Sequence, residues 1–148
     1  MGYLSYPSKN VWETREEWYT NQIDLFQHEY GSYLVSEHAC ALVGEVQIAY
    51  CAGAYIAVII LAFNVIDSHL RDTEALDSKI NSKRLIEEYY PDGKVQALRM
   101  RRNAIVHSTP GEPVLTSEQQ WNNRVELETE AKEAITLMFK VLFSNPGT

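Results

Sequence analysis

The sequence contains little cysteine and no metal-binding motif. Its 148 residues include two cysteines, Cys40 and Cys51, and no CxxC, no HExxH and no cysteine–histidine pairing. On one continuous helix these two cysteines would lie about 16 Å apart, which is too far for a disulfide within the chain. The sequence therefore supports neither a disulfide framework nor a structural zinc site, and it indicates a reducing compartment. We expect no metal ion and no other cofactor.

Positive charge is also scarce. The chain has 13 lysines and arginines against 20 aspartates and glutamates, which gives a net charge of -7. Broad, non-specific binding of nucleic acid normally needs a basic surface, so the composition argues against it. A small basic site on an acidic body remains compatible with this charge, because only the field at the site acts on a phosphate there.

The N-terminus, MGYLSYPSKN, lacks the basic and then apolar pattern of a secretory signal. Together with the cysteine content, this predicts a cytoplasmic protein. One uncharged stretch, residues 48–66, approaches the length of a membrane-spanning helix. It is bounded by Glu45 and Asp67 and no Lys/Arg cluster precedes it, so we favour a central helix buried by its neighbours. A small membrane-associated helical protein is the alternative that rests on this stretch.

Alternating strand patterns of useful length are absent, and helical patterns cover most of the chain. The predicted helices are a first over 11–29, a long stretch over 33–72 with a possible break near Gly44, a third capped by Asp77 and running to Tyr90, a fourth from Lys94, and a last capped by Thr116 or Ser117. An apolar stripe marks the last helix: Trp121, Val125, Ile135, Met138 and Leu142. We predict an all-α, antiparallel bundle of four to five helices in one domain over 1–148, with flexible ends at 1–10 and 144–148.

The fourth helix carries an arginine on its apolar face. In the stretch RMRRNAIVHSTP, a helical wheel places Arg102 in one arc with the apolar residues of this helix: Val95, Leu98, Ile105 and Val106. An isolated charge on such a face is costly, so it is usually paired or it faces a wet cleft or an interface.

His107 follows five residues after Arg102, about 140° further around the helix axis. The two side chains can therefore converge only at the helix end or across a two-fold interface. Asn103 and His107 are four residues apart and stack on one edge of the helix. An ordinary explanation also exists, because Arg99, Arg101 and a histidine near a helix C-terminus complement the helix dipole.

The segment RNAIVH, Arg102 to His107, resembles the R-x(4–6)-H motif of the HEPN-domain family, including the asparagine that follows the arginine. The surrounding order of elements is similar over about residues 45–143. An apolar helix ends in AFNVIDSHLRD, the next helix ends in EEYYPDG, and the motif helix and a final amphipathic helix follow. The resemblance implies a HEPN-like helical bundle that dimerises with two motifs facing each other, and a metal-independent endoribonuclease in a toxin–antitoxin or defence context.

The resemblance also implies roles for three residues. His107 would be the general acid/base for attack of the RNA 2′-OH on the adjacent phosphorus, since imidazole titrates near neutral pH. Arg102 would hold the scissile phosphate, because a guanidinium fork matches phosphate oxygens. Asn103 would orient the imidazole or donate to a phosphate oxygen. The expected product is a 2′,3′-cyclic phosphate, and the implied partners are RNA, a second copy of the chain and a cognate antitoxin or nucleotidyltransferase-like protein.

The motif departs from the toxin type in one respect. Toxin-type members often continue as HxY, whereas here Ser108 and Thr109 follow His107. This departure and the acidic charge motivate an alternative, a non-catalytic HEPN-type module that binds a partner protein or a nucleotide.

Other polar residues have two interpretations each. Asn64, Asp67 and Arg71 recur at helical spacing, so Asp67 either supports Arg102 or forms an ordinary i,i+4 ion pair with Arg71. Asn64, Arg99 and Arg101 are further candidates for supporting the site. Three histidines have no mutual metal-ligand spacing and are interpreted as surface or packing residues: His28, His38 and His69. Tyrosines near the N-terminus, among them Tyr30, are interpreted as packing aromatics rather than base-stacking ones.

Overall fold

The computed structural model describes residues 3–27 and 31–147, and within these residues the chain forms seven helices and two very short strands. The elements are α1 Lys9–Phe26, β1 Ser32–Tyr33, α2 Glu37–Ala52, α3 Tyr55–Thr73, α4 Ser82–Tyr89, α5 Gly93–Val106, α6 Ser117–Asn122, α7 Arg124–Leu142 and β2 Pro146–Gly147. The predicted all-α class is confirmed. The predicted end of the first helix at residue 29, together with His28 and Tyr30, lies outside the described residues.

Side-chain caps set most of the helix starts. Four helices begin after a side chain that accepts a hydrogen bond from the first turn: Ser8, Ser36, Asn81 and Asp92. At α6, Thr116 and Gln119 form a capping box, which confirms the predicted start of that helix.

The long stretch predicted over 33–72 is two helices, and the break is at Gly53 rather than near Gly44. Gly53 ends α2 with a φ of 81°, in the left-handed region. Two arginines close this elbow: Arg15 Nη1 donates to the Cys51 carbonyl at 3.0 Å, and Arg124 Nη2 donates to the Gly53 carbonyl. Because these arginines come from α1 and α7, the local sequence carried no sign of them.

The break also divides the uncharged stretch 48–66 between α2 and α3. None of the helices in the described ranges combines the length and the apolar character that crossing a bilayer requires.

We expect Gly53→Ala to lower the free energy of unfolding by about 1–3 kcal/mol, because an L-residue is strained in the left-handed region. The new Cβ would also lie 3.2 Å from Arg15 Nη1 and 3.3 Å from Arg124 Nη2. Gly44→Ala is the matched control, since Gly44 lies inside α2 with no neighbouring atom near the added Cβ. There alanine should stabilise the helix by about 0.5–1 kcal/mol. Urea unfolding of both variants tests this, and a Gly53→Ala protein as stable as the wild type would contradict it.

The predicted start of the third helix at Asp77 is wrong. The helix begins after Asn81, whose Oδ1 accepts from Arg84 N at 3.0 Å. Asp77 Oδ1 accepts instead from Lys79 N at 2.9 Å in the preceding turn. An aspartate side chain can accept from backbone N–H groups either in a turn or at a helix start, and Asp77 accepts within the turn.

The last helix is also interrupted, at Asn123 between α6 and α7. The first two members of the predicted stripe, Trp121 and Val125, are 42 % and 74 % exposed. The other three are buried: Ile135, Met138 and Leu142. The stripe therefore describes only the part of α7 that packs on the core.

The third helix, α3, is the centre of the fold and packs against α2, α4, α5 and α7. Its fully buried side chains include Val58, Ile59, Phe63 and Ile66. The C-terminal residues are tied back to the bundle. Strand β2 pairs antiparallel with β1, and Asn145 Nδ2 donates to Glu74 Oε1 at 2.7 Å. Such a central helix matches the interpretation of the uncharged stretch as buried.

Candidate active site

The helix that carries the motif, α5, is fixed at its start and along one side. Asp92 Oδ1 accepts from Lys94 N at 2.8 Å and from Val95 N at 3.1 Å. Val95 and Leu98 are buried in the core. This docking against α3 and α7 carries Arg102, one turn beyond Leu98, onto the bundle.

The Arg102 guanidinium lies on an aromatic ring of α3. Its Cζ is 5.0 Å from the centroid of the Phe63 ring, within the range of a cation–π contact. Arg102 Nη1 donates to Asn103 Oδ1 at 2.9 Å, and Arg102 Nε is buried without a hydrogen-bond partner. Phe63 thus explains how an arginine is tolerated on this face. The unpaired Nε–H leaves one donor of a partly buried cation uncompensated.

His107 is exposed at the C-terminal end of α5. Its backbone N–H donates to the Asn103 carbonyl at 2.8 Å, so Asn103 touches Arg102 with its side chain and His107 with its main chain. The Asn103 side chain thus contacts Arg102, and the stacking of Asn103 on His107 stays a prediction. Arg102 and His107 form no hydrogen bond with each other. The Arg102 guanidinium lies on the Phe63 ring, whereas His107 is exposed at the helix end.

The two flanking arginines are held in different ways. Arg101 forms a two-pronged ion pair with Glu130 of α7 through its Nε and Nη2 atoms. Arg99 Nε donates to Gln96 Oε1 at 2.8 Å on the same helix. Arg101 therefore links α5 to α7, and Arg99 keeps a half-buried cation one helical turn before Asn103.

Asp67 pairs with Arg71 rather than with Arg102. Its two oxygens accept from Arg71 Nη2 at 3.0 Å and Arg71 Nε at 3.2 Å, and Ser82 Oγ donates to it at 2.6 Å. Arg71 also donates to the Ser78 carbonyl at 2.9 Å. The ordinary interpretation of Asp67 thus fits the geometry, in which it ties α3 to α4. Asn64 is partly buried beside Phe63, and its side chain forms no hydrogen bond within residues 31–147.

The remaining described histidines differ in their surroundings. His38 is exposed at the start of α2, whereas His69 is 3 % exposed in α3 with no hydrogen-bond partner for Nδ1. The described part of the chain brings no three histidine, cysteine or carboxylate side chains together as metal ligands. Cys40 and Cys51 both lie on α2 as free thiols.

Burial lowers the pKa of the His69 imidazole below its ordinary 6.5, although Glu74 and Asp72 oppose the shift. The unfolded chain therefore binds a proton that the folded chain resists, and stability should fall as the pH drops below about 6.5, by at most about 1.4 kcal/mol per pH unit. His69→Gln should reduce this loss of stability at low pH, and replacement of the exposed His38 by glutamine should not. Urea unfolding at several pH values measures this loss. An equal loss of stability at low pH in the wild type and both variants would contradict the role given to His69.

A cavity of about 560 Å³ lies between α5 and α7. Its floor is apolar, with Leu98 and Leu137, and charged side chains stand around it, among them Lys94, Arg101 and Glu133. Neither Arg102 nor His107 lines it. The candidate site is thus the end of α5 and not this cavity.

Sequence reasoning missed Phe63 as a member of the site. It lies in the segment AFNVIDSHLRD, but the sequence of an apolar helix does not indicate which other helix its phenylalanine will contact. The contact joins residues of α3 and α5 that are far apart in sequence.

Comparison of the chain with protein-family models, with curated proteins and with solved structures found no match.

Proposed function

We propose that this chain is a metal-independent endoribonuclease of the HEPN type, built as a HEPN-like bundle and active in the cytoplasm. One observation carries the proposal: a partly buried guanidinium and an exposed imidazole lie at the same end of α5. The Arg102 guanidinium lies over Phe63 and donates to Asn103 Oδ1, and His107 is exposed five residues further on.

Arg102 would bind the scissile phosphate. Its guanidinium is partly buried over Phe63, where electrostatic attraction to an anion is stronger than in bulk water. Its Nη groups would donate to the phosphate oxygens, as a guanidinium fork does.

His107 would move the proton. As general base it would take the proton of the 2′-OH while that oxygen attacks the adjacent phosphorus. As general acid it would protonate the 5′-oxygen as the P–O5′ bond breaks. The products are a 2′,3′-cyclic phosphate and a free 5′-hydroxyl, and no redox step or metal is involved. The exposed position of His107 suits contact with an RNA strand.

A second copy of the chain would complete the site. Within one protomer Arg102 turns towards Phe63 while His107 lies outward at the helix end. A two-fold pairing of the α5 ends would place the His107 of one copy near the Arg102 of the other. Arg99, one helical turn before Asn103, would add positive charge to this cleft.

Further partners depend on context. In toxin–antitoxin or defence pairing, a cognate antitoxin or nucleotidyltransferase-like protein would control the enzyme. The alternative is a non-catalytic HEPN module that binds a protein partner or a nucleotide, favoured by the missing tyrosine after His107 and the net charge of -7.

Incubation of the purified protein with mixed RNAs in EDTA distinguishes the two. The ribonuclease should produce fragments with 2′,3′-cyclic phosphate ends, whereas the binding module should leave every RNA intact. Expression toxicity that disappears with Arg102→Ala would also count against the binding module.

A further inference from the structure

Two arginines stand side by side at the elbow between α2 and α3, away from the motif. A Cβ built on Gly53 would lie 3.2 Å from Arg15 Nη1 and 3.3 Å from Arg124 Nη2, so the two guanidinium groups flank the same glycine. Both also face the buried Tyr55 ring, with Cζ atoms 5.6 Å and 4.6 Å from its centroid. Like charges this close repel each other unless something of opposite sign joins them.

Neither guanidinium has a carboxylate partner among residues 3–27 and 31–147. Of the ion pairs within 4.0 Å in the described ranges, none includes Arg15 or Arg124. The nearby carboxylates of Glu16 and Glu128 contact other groups: Glu16 accepts from Trp12 Nε1 at 3.2 Å, and Glu128 lies 3.7 Å from Lys132 Nζ. These acids weaken the field at the elbow without bonding to either arginine.

The backbone offsets only part of the charge. Each arginine donates to one carbonyl at the end of α2, and a helix C-terminus carries about half a negative elementary charge. Two full positive charges therefore exceed what the helix end neutralises. Arg124 Nη1 also donates to Gln120 Oε1 at 3.3 Å. No protein acceptor within the described ranges is bonded to Arg15 Nε or Nη2, or to Arg124 Nε.

We propose that the elbow binds a phosphate group between Arg15 and Arg124. A phosphate supplies acceptors for the guanidinium donors that the protein leaves unbonded, and its several oxygens can accept from two guanidinium forks at once. Both arginines are partly exposed, so the ligand can reach them. Tyr55 and the two carbonyls hold the guanidinium planes in place, which reduces the ordering cost of binding.

This site is separate from the proposed active site. Tyr55 and Phe63 are eight residues apart on α3, which corresponds to about 12 Å along the helix axis. The elbow site does not depend on catalysis at His107. Its phosphate is that of an RNA backbone or of a free phosphate compound, and competition distinguishes these sources.

Calorimetric titration of the full chain with inorganic phosphate, at constant ionic strength set by chloride, tests the proposal. The wild type should bind phosphate saturably, and Arg124→Gln should weaken binding by about tenfold or more, as for a lost charge-assisted hydrogen bond. Arg84→Gln is the matched control, since Arg84 pairs with Glu88 on the exposed side of α4, and its affinity should be unchanged. Displacement of phosphate by single-stranded RNA would support the site and identify the backbone as its source. Binding that RNA does not displace would support a free phosphate compound.

The absence of saturable phosphate binding by the wild type would overturn the proposal, as would equal affinity in a folded Arg124→Gln protein. Because Arg124 also closes the elbow, that variant is checked by circular dichroism. If it is unfolded, modification of the wild type by an arginine-specific dicarbonyl reagent decides. Phosphate should slow the modification of Arg15 and Arg124 relative to Arg84, and unchanged rates at both would refute the site.

Discussion

Replacement of His107 by alanine is expected to lower the rate of RNA cleavage by about 10²–10⁴-fold, the usual contribution of general acid–base catalysis. The imidazole is exposed at the end of α5, and its side chain makes no hydrogen bond to the described residues. Its removal should therefore leave the free energy of unfolding nearly unchanged. Single-turnover cleavage of a labelled RNA in EDTA, with urea unfolding of the same samples, measures both quantities.

The matched control for His107 is His38→Ala, which removes another exposed imidazole, on α2 and outside the motif. His38→Ala should cleave at the wild-type rate. Equal rates for His107→Ala and the wild type would refute the catalytic role of His107, and equal losses in both variants would show that the effect is not specific to the motif.

Replacement of Phe63 by alanine is expected to lower the free energy of unfolding by about 3–5 kcal/mol, the range for a phenylalanine removed from a packed core. The Phe63 side chain is fully buried in the centre of α3. Its loss also removes the ring on which the Arg102 guanidinium lies. The Arg102 side chain should then lose its orientation, so cleavage should fall by more than the unfolded fraction explains.

Phe139→Ala separates the two effects of the Phe63 change. Phe139 is also buried, and its ring packs edge-on to Tyr19 rather than on Arg102. Both variants should be destabilised to a similar extent, as unfolding in urea would show. At a temperature where both remain folded, only Phe63→Ala should lose cleavage. Equal cleavage per folded molecule would contradict the role given to the ring.

Local chemistry made part of the fold readable from the sequence. The capping box at Thr116 acts within one turn, so its pattern survives in the sequence. The break at Gly53 was missed because both arginines that close it come from other helices. Nothing in the local sequence distinguishes this glycine from Gly44, which stays inside α2.

The same division holds for the candidate site. The placement of Arg102 on the apolar face follows from helical periodicity. The sequence predicted that Asn103 stacks on His107, whereas the Asn103 side chain accepts from the adjacent Arg102, a contact that i,i+4 spacing does not predict. The ring beneath Arg102 and the tie between Arg101 and Glu130 arise from packing between distant segments. Periodicity within α5 contains no information about which side chains of α3 or α7 will meet it.

The most direct test of the proposed endoribonuclease uses an RNA with one preferred cleavage position and the same RNA with a single 2′-deoxynucleotide immediately 5′ of that position. In EDTA the wild-type protein should cut the first and leave a 2′,3′-cyclic phosphate end. The second should stay intact at that position, because the attacking oxygen is missing. Cleavage of both substrates at equal rates, or of neither, would contradict the account.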